Sequence, residues 1–223
     1  MTKEIRPVAF FRSPLQSKFG IPRQSGVVDE LRGSIVLEPE YRSVDAIRGL
    51  EEFDYLWLIW GFSANPHEAK GLTVRPPRLG GNRRMGVFAT RSPFRPNGMG
   101  LSSVRIIRII HEGKDAPVIE VGGADLMDGT PVYDIKPYLP YADAHSEARG
   151  GFTDAGEWRM LEVHGLDSLS GRLTADELKT VRSLLANDPR PRYQTDPGRI
   201  YGMPFAGIDV RFRVEGTDLY IVE

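Results

Sequence analysis

Cysteine is absent from the 223 residues of this chain. Its absence removes disulfides, thiolate metal sites, iron–sulfur clusters and a cysteine nucleophile together. Long apolar runs are also missing: the longest, around Tyr55 to Phe62, falls far short of the roughly 20 residues a bilayer needs. The chain opens Met-Thr-Lys-Glu, with no basic start followed by an apolar core, so no secretory leader or membrane partner is expected and the protein reads as cytoplasmic. There is no Gly-x-x-x-x-Gly-Lys-Ser/Thr and no Gly-x-Gly-x-x-Gly between a strand and a helix, and Gly80-Gly81-Asn82 fits neither pattern. The histidines, His67, His111, His145 and His164, include no pair at i, i+4, and no metal site is expected.

What is present is ordinary in bulk and uneven in detail. Hydrophobic residues at 40% and charged residues at 26% suit a globular chain of one or two domains and exclude wholesale disorder. Gly 24 and Pro 17 imply many turns and shaped loops. Between Glu68 and Glu112 there is no acid, while Lys70, Arg75, Arg78, Arg83, Arg84, Arg91, Arg95, Arg105 and Arg108 are basic. The stretch from Glu112 to Thr180 is acidic in turn. In a chain of net charge −1, this asymmetry points to one face meant for a polyanion. The competing reading is that the two blocks neutralise each other after folding.

The first half reads as strands punctuated by turns. Apolar runs occur in residues 6–12, 34–38, 54–62, 85–90, 101–110, 117–121 and 131–135. The run from Asp54 to Phe62 is so continuously apolar that a fully buried strand is expected there. Asp128-Gly129, between the last two runs, predicts a hairpin turn. Such spacing, with no helical segment between, argues for a mainly β protein, an antiparallel barrel or sandwich. Residues Ala142 to Gly156 are small and polar and read as a mobile connection. Thr174-Ala-Asp-Glu177 predicts a capping box, with Leu178, Val181, Leu184 and Leu185 at helical spacing behind it. A final hairpin turning at Glu215-Gly216 is expected. The domain reading is therefore a β domain over 1–141 and a small α+β domain over 142–223.

Two dense segments carry the chemistry. Every charged residue from Thr73 to Gly100 is arginine, often beside proline. Proline stiffens the backbone that presents each guanidinium fork, which suits carboxylate or phosphate. The second segment, Ala124 to Pro140, holds Asp125, Asp128, Asp134, Lys136 and Tyr138. Acids at a turn can take hydroxyls or amines, though turn chemistry alone explains Asp128-Gly129.

These segments, with Phe19-Gly-Ile-Pro-Arg-Gln24 upstream, resemble the TrmO (TsaA/YaeB-like) family. The resemblance runs through Asp45 to Glu51, Arg75-Pro-Pro-Arg-Leu-Gly-Gly-Asn82, Arg91-Ser-Pro-Phe-Arg-Pro-Asn97, Asp134-Ile-Lys-Pro-Tyr-Leu-Pro140 and Asp188-Pro-Arg-Pro-Arg-Tyr193, nearly the whole chain. It implies a single-sheeted antiparallel β-barrel and an S-adenosylmethionine-dependent methyltransferase acting as a homodimer. The acceptor it implies is N6 of N6-threonylcarbamoyladenosine at position 37, in the anticodon loop of threonine tRNA. Matched residue by residue, it implies a cofactor pocket of Arg23, Gln24, Arg91, Arg95, Asn97, Asp125, Leu126, Asp128 and Thr130. Lys136 and Tyr138 would orient the acceptor, with Asp134 as a proton acceptor. Arg75, Arg78, Arg83, Arg84, Arg190, Arg192 and Tyr193 are the expected RNA contacts, and Phe94, Phe19 or Tyr138 the candidates for stacking on bases. One departure stands out: Gly98 occupies a position where many members carry proline.

An unpaired anticodon loop is held through phosphates and splayed, stacked bases, which the basic block and these aromatics suit. Methyl transfer from a sulfonium needs alignment more than acid–base power, consistent with a chain lacking a nucleophile constellation. Two rival readings stay open: a non-catalytic RNA-binding module, and a small-ligand regulator.

Overall fold

The computed structural model describes residues 4–65, 71–76, 79, 83–154, 159–191 and 196–222. Its strands are β1 (Ala9–Arg12), β2 (Arg32–Leu37), β3 (Tyr55–Gly61), β4 (Thr73–Val74), β5 (Met85–Gly86), β6 (Met99–Ile110), β7 (Val118–Gly122), β8 (Pro131–Pro137), β9 (Glu162–His164), β10 (Tyr201–Phe205), β11 (Ile208–Glu215) and β12 (Asp218–Ile221). Its α-helices are α1 (Val44–Ile47), α2 (Pro140–Asp143) and α3 (Ala175–Ala186). The protein is mainly β, as its alternating sequence implies.

The principal sheet runs β1-β2-β7-β6-β3-β8, and β8 pairs back onto β1, so the sheet closes on itself with every pairing antiparallel. Period-two alternation turns one side chain in two inward. Phe11, Ile35, Leu56, Leu58, Val104, Ile119, Val121 and Val132 meet there as one core. Strand β3 departs from expectation here. Leu56, Leu58 and Trp60 are buried, whereas Tyr55 is exposed and Trp57 and Ile59 only half-buried. A closed sheet buries one face of each strand, so the outer face of β3 is only partly covered.

Asp128-Gly129 does not close a hairpin between β7 and β8, which are not neighbours. The turn instead crosses to β1: the Gly129 N–H donates to the Phe11 carbonyl and the Asp128 N–H to the Leu15 carbonyl. The run at 85–90 is a strand only over Met85–Gly86 before a 3-10 turn over Val87–Ala89. The small polar stretch after Tyr141 is also anchored at its start. Asp143 accepts from the Leu139 N–H and the Trp57 indole, both at 2.8 Å.

A second core gathers around α3 and the sheet β10-β11-β12-β9. The capping box is present: Thr174 Oγ1 accepts from the Glu177 N–H and Glu177 Oε2 from the Thr174 N–H. The apolar stripe of α3 delivers Val181, Leu184 and Leu185 into this core. Leu15, Val28 and Leu31 join them from the segment between β1 and β2, so the second core draws on both ends of the chain. Strands β9 and β10 escape sequence reading. The first is three residues paired in parallel with distant β12, and the second contains Gly202 and Pro204.

Candidate functional site

The tethering of residues 15–31 into the second core places the loop from Lys18 to Gln24 beside the closed sheet. Between that loop, the end of β3, the loop around Thr90 to Arg95 and the start of β6 lies a cleft of about 480 Å³. This is a cofactor-sized space. Its apolar walls include Ile21, Pro22, Trp57, Trp60, Phe62, Met99 and Met127. Trp60 and Phe62 meet edge to face with centroids 4.4 Å apart.

Polar groups enter from three separated segments. Lys18, Arg23, Arg91 and Arg95 line the cleft with one carboxylate, Asp125. Arg91 Nη1 donates to Gln24 Oε1 at 2.5 Å, tying the arginine loop to the opposite wall. Arg95 Nη1 donates to the Thr90 carbonyl at 3.0 Å, which shapes its own loop. Lys18 Nζ donates to Asn65 Oδ1 at 2.5 Å. Asp125 sits at the end of a relay: Trp60 Nε1 donates to Ser102 Oγ at 2.9 Å, and Ser102 Oγ to Asp125 Oδ1 at 2.5 Å. Burial pushes the Asp125 carboxyl above the ordinary carboxylate range, against the pull of the Ser102 hydroxyl and the Arg91 charge.

The predicted cofactor residues divide. Arg23, Gln24, Arg91, Arg95, Asp125 and Thr130 come together in the cleft. Three others face elsewhere. Leu126 is fully buried in the first core. Asp128 accepts from the Ser13 N–H at 3.0 Å and faces a separate groove with Arg12, Arg32 and Glu120. Asn97 is exposed outside the cleft lining. A turn sends its neighbouring side chains in different directions, which linear spacing does not reveal. Gly98 has φ +55°, a left-handed conformation that the fixed negative φ of proline excludes.

Asp134, Lys136 and Tyr138 do not line the cleft themselves. Asp134 and Lys136 pair at 3.6 Å, and the Tyr138 ring lies 5.6 Å from that of Trp57, a cleft residue. Of the expected RNA contacts, Arg75, Arg83 and Arg84 are exposed. Arg190 is mostly buried, its fork held by Asp188 at 2.8 and 3.0 Å, which raises its pKa further. Arg23 Nη2 donates to the carbonyls of Asp188 and Arg190, both at 3.3 Å, joining this turn to the cleft. Arg78, Arg192 and Tyr193 lie outside the described residues.

Sequence reading missed Trp57, Trp60, Phe62, Lys18 and Ser102. The two tryptophans were hidden because an apolar run reads as core. His164 is satisfied, its Nε2 2.8 Å from Asp218 Oδ1 with Glu162 close by, although linear spacing does not indicate that partner.

The separate groove carries two arginines and two acids, a balanced set. The cleft instead opposes several cations to one carboxylate between aromatic walls. That set suits a small ligand bearing a carboxylate, hydroxyl or ammonium groups, and a flat ring. The molecule is thus a mainly β protein with a cofactor-type cleft lined by arginines. It belongs to the tRNA-methyltransferase O family: the model of the family's N-terminal domain matches residues 10–144, and that of the TrmO C-terminal domain residues 163–223. It is similar to the tRNA (adenine(37)-N6)-methyltransferase of Escherichia coli, 38% identical over 230 residues that cover 99% of this chain and 97% of that protein. A Pyrococcus abyssi protein named "Probable S-adenosyl-L-methionine-binding protein" is 33% identical over 164 residues, 73% of this chain and 79% of its own. The crystal structure of TrmO from Pseudomonas aeruginosa superposes with a TM-score of 0.79 at 33% identity, covering 100% of this chain and 98% of that one.

Proposed function

We propose that this protein is an S-adenosylmethionine-dependent tRNA methyltransferase acting on N6 of adenine 37, and that the cleft is its cofactor site within a β-barrel domain. The carrying observation is that six residues matched to the family's cofactor pocket converge on one cleft from three separated segments. The donor set fits the cofactor. Arg91 and Arg95 suit its carboxylate, and Asp125 and the neighbouring backbone suit its hydroxyls or ammonium. Trp60 and Phe62 suit its adenine. When bound, S-adenosylmethionine supplies a methyl group already activated on a sulfonium sulfur.

The protein's own part is positional. Arg91 and Gln24, bonded across the cleft, hold its two walls together. The Ser102 hydroxyl fixes the orientation of the Asp125 carboxyl, and the apolar walls keep water from the reacting groups. We read the acceptor as N6-threonylcarbamoyladenosine in the anticodon loop of threonine tRNA, with Lys136 and Tyr138 orienting it. The N6 proton is lost on methylation, and we read Asp134, which pairs with Lys136, as its acceptor.

We read Arg75, Arg83 and Arg84, which are exposed, as phosphate contacts. Arg190 serves a different part in this reading, fixing the turn that holds Arg23. We read residues 142–223 as a smaller domain that contacts the tRNA. A homodimer is supported by exposed apolar side chains near the cleft, Leu101 in its lining and Phe94 in the arginine loop. Among the described residues no helix is long and apolar enough to cross a membrane.

A non-catalytic RNA module fits less well, because a buried carboxylate turned into the cleft repels phosphate. The deciding experiment incubates the protein with S-adenosylmethionine and tRNA carrying the threonylcarbamoyl group, then analyses the nucleosides by mass spectrometry. A gain of one methyl on that adenosine is expected. Cofactor binding without methylated nucleoside would favour the regulator.

A further inference from the structure

Trp57 stands apart from both cores. Its neighbours in β3, Leu56 and Leu58, point inward and are fully buried, whereas Trp57 is on the outer face and only half-buried. It belongs to neither hydrophobic cluster. Trp57 lines the cleft, and the Tyr138 ring lies beside it with centroids 5.6 Å apart and the planes inclined by 44°. Its register partner on β8 is Lys136, which pairs with Asp134. Trp57 is thus the residue through which the cleft adjoins the three residues matched to acceptor handling.

The ring is also clamped. Its single polar group donates to Asp143 Oδ2 at 2.8 Å, and that oxygen accepts the Leu139 N–H at 2.8 Å. Those two donors hold the Asp143 carboxyl below its ordinary range, so the clamp stays charged at neutral pH. An indole with its N–H already satisfied, fixed in orientation and outside any core, has chiefly its π face left to offer. Every nucleobase has a π face, and unpaired bases bind proteins by stacking on such rings.

We propose that Trp57, clamped by Asp143, is the stacking platform for the acceptor purine, holding it between the cofactor cleft and the Asp134–Lys136 pair. The assignment rests on the reading of the cleft given above. Trp57 acts as a substrate-contacting residue, and Asp143 as a positioning residue acting through it.

The test combines steady-state methylation, cofactor calorimetry and an anticodon stem-loop with 2-aminopurine at the acceptor position. Wild-type protein should quench the 2-aminopurine emission on binding. W57A should raise KM for tRNA roughly tenfold or more and abolish the quenching, a loss larger than any change in cofactor affinity that calorimetry records for the same variant. W57F, which keeps a ring, should restore most of the quenching and of KM. D143A, which frees the indole, should lower kcat more than it raises KM. Wild-type KM and quenching in W57A would overturn the platform, as would a W57A defect traced wholly to a changed oligomeric state. Should W57A fail to fold, W57F alone decides: loss of quenching as complete as without binding would sink the stack. Loss of cofactor affinity is read separately by calorimetry on Arg91 and Arg95 variants, so failure of the cleft reading is distinguishable from failure of the platform.

Discussion

Asp125 lines the cleft at a cost to folding. Its carboxyl is pushed up mainly by burial, so the folded protein prefers it protonated more than the unfolded chain does. A raised folded pKa means that the stability penalty is absent at acid pH. It grows as pH rises through the unfolded value and levels off above the folded one. Asp125→Asn should therefore melt at the same or a higher temperature than wild type at neutral pH, with the advantage vanishing below the ordinary carboxylate range. Cofactor affinity should fall roughly ten- to a hundredfold, the cost of one hydrogen bond to a charged group. Melting curves across pH, paired with calorimetry, check both halves. A variant that melts lower at every pH would contradict the burial argument. At this scale the sequence was legible where the signal is local: the arginines beside prolines, and Asp125 itself. Leu126 and Asp128 escaped because a turn's facing is set by what it packs on, here β1 and Leu15.

At the scale of elements, β3 and β6 build the cleft by what their paired residues lack. Trp60 pairs with Gly100, and a Cβ at Gly100 would drive into the indole. The absent side chain is what lets Trp60 lie flat enough to reach Ser102, and through it Asp125. Gly100→Ala should therefore cost about 1–3 kcal/mol of stability by overpacking and weaken the cofactor site as well. Chemical denaturation and cofactor titration measure the two effects. Full stability together with full affinity would show that the indole has another way to settle. Most strands and α3 were legible in the sequence, because period-two alternation and a capping box are written in adjacent residues. Strand β10 was not, since Gly202 and Pro204 interrupt it and its partner β11 supplies the order. Nor was the outward facing of Trp57, because an apolar residue lining a cleft looks in sequence like one facing a core.

Across the whole molecule, two cores share one chain unevenly. The segment between β1 and β2 anchors Leu15, Val28 and Leu31 in the second core, yet its middle, Lys18 to Gln24, forms a wall of the cleft. The turn after α3 reinforces that wall through Arg23, which bonds to the carbonyls of Asp188 and Arg190. Among the described residues, the C-terminal unit thus braces Arg23, a cleft-lining side chain, without lining the cleft itself. This long-range use of the fold was not legible, because the contacting residues are separated by most of the sequence. The basic block was legible as charge, and its division into cleft-lining Arg91 and Arg95 and exposed Arg75, Arg83 and Arg84 was not. All of these parts converge on the claim that the arginine-lined cleft holds S-adenosylmethionine. Isothermal titration of the cofactor into wild-type protein, Arg91→Ala and Arg95→Ala tests it most directly. Binding to the wild type and a loss of roughly tenfold or more in each variant, with folding intact, is the expected result. Equal affinity in all three proteins would contradict it.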